Sequence, residues 1–192
     1  MSGNAILFLP GMNPNPSHTD LLRELFTKAG YTFLPYQGWS NVHELGRKSL
    51  REIHQEIEIL LEPYEHAGVL GKSFGGGLAL TLSNPRVQCL ALWAPAFRLA
   101  DQSNLDEWMD RKLSELDRVS SIALGPLDAA KVQAPVLVMH GTNDTTVPLE
   151  NSQQLAQALP KGHLSLIEGA GHSSHVEEVA RLAIEFFNRR LS

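Results

Sequence analysis

Continuous apolar runs alternate along the chain with segments in which apolar residues recur every three or four positions. The first pattern predicts strands that are buried on both faces, and the second predicts amphipathic helices. Strands are predicted at residues 5–9, 31–36, 67–70, 87–93, 135–140 and 163–168. Helices are predicted at residues 17–29, 50–61, 74–83, 105–116, 148–159 and 176–187.

This alternation indicates the α/β class, with a three-layer, doubly wound and mostly parallel sheet of about six strands and helices on both faces. Ligands of such folds bind at the carboxyl ends of the strands. No repeat or linker divides the sequence, so residues 1–192 are predicted to form a single domain. Residues 98–132 are the long excursion between strands, and they form either a minimal cap over the site or a packing crossover.

The amino-acid composition limits the classes of molecule with which the protein is expected to interact. The 192 residues carry a formal net charge of −5 and contain no run of Lys or Arg, which argues against nucleic acid and anionic membranes as partners. The apolar run at residues 5–9 is too short for a signal peptide or a membrane span. Cys89 is the one cysteine, so no intramolecular disulfide can form. We therefore expect a cytoplasmic protein that acts on a small molecule, and the sequence leaves its oligomeric state open.

A G-x-S-x-G sequence stands where a predicted strand meets a predicted helix. It reads Gly71-Lys72-Ser73-Phe74-Gly75. A serine on a sharp strand-to-helix turn projects its hydroxyl outward, and the flanking glycines remove side chains that would block the turn. This context predicts that Ser73 is a nucleophile.

The same residues offer a second interpretation, because a phosphate-binding loop also ends in Gly-Lys-Ser. That loop has the pattern G-x-x-x-x-G-K-[ST], which requires glycine at position 66. Position 66 is His66, and Gly68 is two places out of register. The nucleophile turn is therefore the favoured interpretation.

A serine nucleophile needs a base, and the base needs an acid that holds its tautomer. Asp144 follows the predicted strand 135–140, and His172 follows the predicted strand 163–168. Capping of the next helix is an alternative role for Asp144. His175 is a rival base, but its predicted place at the start of the last helix favours His172. His140 lies at the end of a strand and is predicted to be structural.

Two backbone N–H groups are also required to stabilise a tetrahedral oxyanion. The first is predicted to be that of Phe74, the residue after the nucleophile. The second is predicted to be that of Met12, which Gly11 would aim from the loop after the first strand, although Pro10-Gly11 also suits an ordinary turn. The sequence contains neither H-E-x-x-H nor a Cys/His ligand spacing, so no metal or other cofactor is predicted.

Three motifs, in this order and spacing, resemble the α/β-hydrolase superfamily. They are Gly71-Lys72-Ser73-Phe74-Gly75, His140-Gly141-x-x-Asp144-x-x-Val147-Pro148 and Gly169-Ala170-Gly171-His172. The resemblance spans most of the chain. It departs from the family at Pro10, where many members have histidine. The chain begins at what resembles the family's third strand, so we expect the fold to lack the N-terminal antiparallel hairpin.

The resemblance implies Ser73 as nucleophile, His172 as general base and then acid, and Asp144 as the orienting carboxylate. It implies Met12 and Phe74 as oxyanion donors. The size of the chain is similar to that of the compact, nearly lidless serine esterases.

We therefore expect a serine hydrolase that cleaves a small carboxylic ester or related acyl bond through an acyl-Ser73 intermediate. The alternatives are a thioesterase, a small peptidase and a non-catalytic binding protein that retains the fold. Phe97, Trp108 and Met109 are predicted to line an acyl or alcohol pocket, for which core packing is the alternative.

Overall fold

The structure, a computed structural model, describes residues 4–97 and 127–191 and places a parallel sheet at the centre of the chain. Six strands form it in the order β2-β1-β3-β4-β5-β6. Their bounds are β1 Ala5–Leu9, β2 Thr32–Pro35, β3 Ala67–Lys72, β4 Val87–Trp93, β5 Val136–Gly141 and β6 Gly162–Ile167. Every adjacent pair is parallel, which confirms the predicted fold class.

Helices cover both faces of the sheet. They are α1 Pro16–Lys28, α2 Val42–Leu45, α3 Leu50–Leu61, α4 Phe74–Ala79, α5 Leu149–Ala158 and α6 Val176–Asn188. Ile53 and Ile57 of α3 pack in one core cluster, together with residues of α4 and α5. Phe26 of α1 and Phe187 of α6 pack in a second cluster on the other face. The sheet therefore forms the middle of three layers, and its inner strands are buried on both sides.

The strand register brings several loops to one edge of the sheet. Leu9 at the end of β1 pairs with Gly71 of β3, and Lys72 at the end of β3 pairs with Trp93 at the end of β4. Gly141 at the end of β5 pairs with Ile167 at the end of β6. Because parallel strands end on the same side, the loops that follow β1, β3, β5 and β6 meet there.

The helix after β3 is shorter than the sequence predicts. It was expected to reach residue 83, but it ends at Ala79. Leu80, Thr81 and Leu82 then donate backbone hydrogen bonds three residues back rather than four. Three consecutive glycines weaken the helix, and Pro85 disfavours the helical conformation in the residue before it.

Helix α2 and the segment 98–132 are two further places where the structure is compared with the sequence predictions. The four-residue helix α2 was not predicted; it begins where the side chain of Asn41 accepts hydrogen bonds from the amides of His43 and Glu44. Of the proposed cap at 98–132, only 127–132 are described, and they contain a short 3-10 turn at Ala129–Lys131. Trp108 and Met109 lie outside the described residues.

No helix in the described part has both the length and the apolar character needed to cross a membrane.

Candidate active site

Ser73 occupies a strained turn between β3 and α4. Its backbone has φ 51° and ψ −117°, a conformation that non-glycine residues rarely adopt. Four hydrogen bonds hold it there. The Ser73 N–H donates to the carbonyl of Trp93 at 2.9 Å, and the Ser73 carbonyl accepts from the amides of Gly76, Gly77 and Ala96 at 2.9, 3.2 and 2.9 Å. Strain of this kind persists only where the surroundings fix it, and it concentrates at functional sites.

The loop after β1 packs directly against this turn. A Cβ atom added to Gly11 would lie 3.6 Å from Cβ of Ser73, which places the Gly11 backbone beside the nucleophile position. The indole Nε1 of Trp39 donates to the carbonyl oxygen of Gly11 at 3.0 Å, and the same ring contacts Phe74 edge-on. Trp39 is buried, so it anchors the loop from below the protein surface.

The two predicted oxyanion donors lie on the two sides of this contact. Phe74 begins α4, and Met12 follows Gly11 in the loop. No carbonyl in the described residues accepts a hydrogen bond from the backbone N–H of either residue. Within residues 4–97 and 127–191, both N–H groups thus lack a backbone acceptor, which is a condition that a donor to an oxyanion has to meet.

Asp144 and His172 are joined by a hydrogen bond, although they are 28 residues apart. Nδ1 of His172 lies 2.8 Å from Oδ2 of Asp144. The Asp144 side chain is fully buried, and that of His172 is 17% exposed. The second carboxylate oxygen, Oδ1, accepts from the amides of Thr146 and Val147 at 2.7 and 3.0 Å. The carboxylate thus fixes both the loop after β5 and the orientation of the imidazole.

The carboxyl group of Asp144 is held in its ionised form. Burial opposes ionisation, but hydrogen bonds from His172, Val147 and Thr146 outweigh it, so the pKa of Asp144 lies below its usual value. His140 is completely buried next to it, with Nε2 3.4 Å from Oδ2 of Asp144 and Nδ1 2.7 Å from Oγ of Ser152. Burial, more than any other cause, lowers the pKa of His140.

The lowered pKa of Asp144 predicts a pH-dependent contribution to stability. A carboxyl group whose pKa is lower in the folded state contributes stability above its unfolded pKa of about 3.9, and the contribution is lost as the pH falls through the folded pKa. At pH 7 we expect Asp144→Asn to lower the free energy of unfolding by about 1–3 kcal/mol, since charged hydrogen bonds are lost. Urea unfolding between pH 2.5 and 7 measures this, and the difference from wild type should shrink towards the acidic end.

The control for this experiment is Glu65→Gln, which removes the same charge from an exposed loop residue. Its free energy of unfolding should stay within about 0.5 kcal/mol of the wild-type value at every pH. An Asp144→Asn variant whose stability tracks that of wild type at every pH would contradict the account of the carboxylate given above.

The strand-to-helix turn at Ser73, here called the elbow, is connected to the His172 loop through neighbouring residues. Nζ of Lys72, the residue before Ser73, donates to Oγ of Ser173, the residue after His172, at 2.7 Å. Within the described residues, no hydrogen bond joins the Ser73 hydroxyl directly to the His172 imidazole. The contact of Lys72 with Ser173 joins the residues that flank Ser73 and His172, so the loops that follow β3 and β6 lie next to each other.

The other residues that the sequence analysis singled out lie in different parts of the fold. Phe97 is 1% exposed and packs in the cluster that contains α3, whereas Met12 is partly buried against the same cluster. A substrate contact by Phe97, Trp108 or Met109 stays a prediction. His175 precedes α6 with φ 59°, at the start of the helix as expected. In the part of the chain that the structure describes, no group of three or more His, Cys, Asp and Glu side chains could hold a metal ion.

The sequence analysis did not predict the contacts of two residues, Trp39 and Lys72. Trp39 anchors the loop of Gly11, and Lys72 contacts the His172 loop. Both contacts depend on which loops the sheet brings together. His140, for which a structural role was predicted, lies in β5 and contacts Asp144.

Comparison with known proteins gives matches over much of the chain. The sequence model of the prolyl oligopeptidase family matches residues 62–191. The "Putative carbamate hydrolase RutD" of Pseudomonas savastanoi pv. phaseolicola is 37% identical over 62 residues, or 31% of this chain and 24% of that protein. The 2-hydroxy-6-oxononadienedioate/2-hydroxy-6-oxononatrienedioate hydrolase 2 of Pseudomonas putida is 30% identical over 95 residues, or 44% of this chain and 33% of that protein. The matches thus span about a quarter of the first curated relative and about a third of the second.

Solved structures give a more complete match of the fold. An α/β-hydrolase enzyme, MGS-MChE2, from the metagenome of lagoon sediments of Mar Chica, Morocco, superposes with a TM-score of 0.75 at 24% identity, covering 98% of this chain and 92% of that one. Est1E of Butyrivibrio proteoclasticus, solved with bound ferulic acid, gives a TM-score of 0.73 at 15% identity, covering 99% and 90% of the two chains. At these identities the likeness is one of fold.

Proposed function

The chain belongs to the prolyl oligopeptidase family, within the α/β-hydrolase superfamily, and from this we propose that it is a serine hydrolase. In this proposal Ser73 is the nucleophile, His172 is the general base, and Asp144 orients the imidazole. The substrate is a small carboxylic ester or related acyl compound, and an acyl-Ser73 intermediate forms. Residues 1–192 act as one domain, and no cofactor takes part in the reaction.

The observation that carries this proposal is the 2.8 Å hydrogen bond between Nδ1 of His172 and the buried carboxylate of Asp144, beside a strained serine. A carboxylate that accepts from Nδ1 fixes the tautomer in which Nε2 bears a lone pair. That nitrogen is then free to accept the proton of the Ser73 hydroxyl.

Acylation follows from these positions. Oγ of Ser73 attacks the acyl carbon while its proton passes to Nε2 of His172, and the carbonyl π electrons move onto oxygen. The N–H groups of Met12 and Phe74 donate to that oxyanion, and the start of α4 adds a favourable dipole. The C–O bond to the leaving group then breaks, and the imidazolium returns its proton to the departing alkoxide.

Deacylation repeats the sequence with water. His172 takes a proton from a water molecule, whose oxygen attacks the acyl carbon of acyl-Ser73. The second tetrahedral intermediate collapses with expulsion of Oγ, which regains its proton from His172. The products are a carboxylic acid, an alcohol and the original enzyme.

A peptidase is the second candidate, because the matching family takes its name from an oligopeptidase. Both reactions use the same acyl chemistry and differ in the leaving group. Turnover of p-nitrophenyl esters without turnover of proline-containing p-nitroanilides would favour the esterase, and the reverse pattern would favour the peptidase.

Covalent labelling tests the proposal most directly. We expect a fluorophosphonate probe to modify the protein, and peptide mass spectrometry to place the adduct on Ser73. His172→Gln should abolish labelling, because the hydroxyl then has no base. Absence of labelling in a folded wild-type protein would overturn the proposal and favour a non-catalytic binding role.

A further inference from the structure

The ammonium group of Lys72 lies beside the candidate active site in an unusual environment. Nζ sits 4.4 Å from the ring centroid of Trp93, and it donates to Oγ of Ser173 at 2.7 Å. Trp93 is almost completely buried. The side chain of Lys72 therefore runs over an aromatic face and carries its charge to the loop of His172, one residue from the nucleophile along the chain.

This charge has no counter-ion in the described residues. A neutral hydroxyl and an aromatic face are its partners there, and no carboxylate oxygen lies within ion-pair distance of Nζ. An ammonium group has three N–H donors, and Ser173 uses one of them. Burial lowers the pKa of Lys72 to about 8, although the charge of Asp144 acts in the opposite direction. Most of the group is protonated at pH 7, and a partly desolvated cation of this kind is stabilised by an anion.

His18, near the start of α1, places an imidazole near the same aromatic ring, and this imidazole has no role in the proposed reaction. Its imidazole lies 6.1 Å from Trp93, centroid to centroid. Nδ1 of His18 is buried and has no hydrogen-bond partner in the described residues. Burial and, to a smaller extent, the charge of Lys72 lower the pKa of His18, so its imidazole is neutral at pH 7 and can donate one N–H.

We propose that Lys72 and His18 form an anion-binding subsite beside Ser73, and that it binds a carboxylate carried by the substrate. The inference rests on the proposed serine hydrolase function and narrows its substrate class to esters that bear a negative charge. The Lys72 ammonium supplies the charge, and His18 supplies a neutral donor.

Two matched esters test the proposal. Mono-4-nitrophenyl adipate carries a free carboxylate, and methyl 4-nitrophenyl adipate is its neutral counterpart of nearly equal length. We expect wild-type protein to favour the anionic ester by at least tenfold in kcat/KM. Lys72→Met should bring the ratio of the two kcat/KM values close to one, His18→Phe should lower it severalfold, and Lys72→Arg should keep most of it.

Two control variants separate recognition from other roles of Lys72. Lys161→Met removes the same charge at the opposite end of the sheet and should keep the wild-type ratio. Ser173→Ala removes the hydrogen-bond acceptor but keeps the ammonium, so it should also keep the ratio. If Lys72→Met and Ser173→Ala each lower kcat/KM by the same factor for both esters, Lys72 only holds the His172 loop, and the proposal is wrong.

Binding without turnover separates this proposal from the proposed function. Calorimetry should show that adipate binds wild-type protein, and that Lys72→Met raises its Kd about tenfold. Adipate binding without fluorophosphonate labelling would support the subsite and reject the hydrolase. Labelling and ester turnover with no preference for the anionic ester, or with no adipate binding, would reject the subsite alone.

Discussion

Replacing Ser73 by alanine is expected to lower kcat/KM for p-nitrophenyl acetate by at least about 10³-fold, to the residual rate supported by the oxyanion donors alone. In the proposed mechanism, the variant lacks the one atom that forms the acyl intermediate. It leaves the Asp144–His172 hydrogen bond and the backbone contacts of the turn in place. Initial-rate measurements at pH 7.5 over a range of ester concentrations give the comparison.

The matched control is Ser83→Ala, an exposed serine beyond the end of α4. It should keep kcat/KM within twofold of wild type. Circular dichroism and urea unfolding should show that Ser73→Ala is folded, with a stability within about 1 kcal/mol of wild type. Turnover by folded Ser73→Ala at the wild-type rate would assign the chemistry to another residue.

Gly75→Ala is expected to lower the free energy of unfolding by about 3 kcal/mol or more. A Cβ atom at this position would lie 2.1 Å from the carbonyl oxygen of Leu9 and 2.5 Å from that of Pro10. Both are backbone atoms, and Leu9 is held in the sheet by its pairing with Gly71. Neither can move away without separating the loop after β1 from the elbow. Equilibrium urea unfolding measures the loss.

Gly11→Ala is the matched control, because it makes the same chemical change on the other side of this contact. Its added Cβ would approach Cβ of Ser73 at 3.6 Å, an ordinary van der Waals distance. We expect its stability to stay within about 1 kcal/mol of wild type. Equal stability of the two variants would show that the loop and the elbow can separate at little cost.

The fold was predictable because its signals are local. Runs of buried apolar residues mark each strand, and their alternation with amphipathic helices specifies parallel pairing. The end of α4 was not predictable in this way. Leu78, Leu80 and Leu82 continue the apolar character of this segment. Three glycines and the approach to Pro85 nevertheless change the backbone to tighter turns after Ala79.

The sequence predicts those residues of the candidate site that directly follow a strand. Asp144 and His172 each follow a strand whose carboxyl end faces the same edge, so their meeting follows from the sheet. The contacts of Trp39 with Gly11 and of Lys72 with Ser173 join residues 28 and 101 positions apart. Neither spacing nor residue type indicates them, because they arise when separate loops pack together.

The carbonyl oxygen of Ser73 and the N–H of Phe74 belong to one planar peptide group. Three amides, those of Gly76, Gly77 and Ala96, donate to that oxygen. They come from α4 and from the loop after β4, so the plane cannot rotate unless two segments move. The direction of the Phe74 N–H is consequently set during folding, before any substrate arrives. An oxyanion formed there would meet a preorganised dipole, and no reorganisation energy of that peptide would enter the activation barrier.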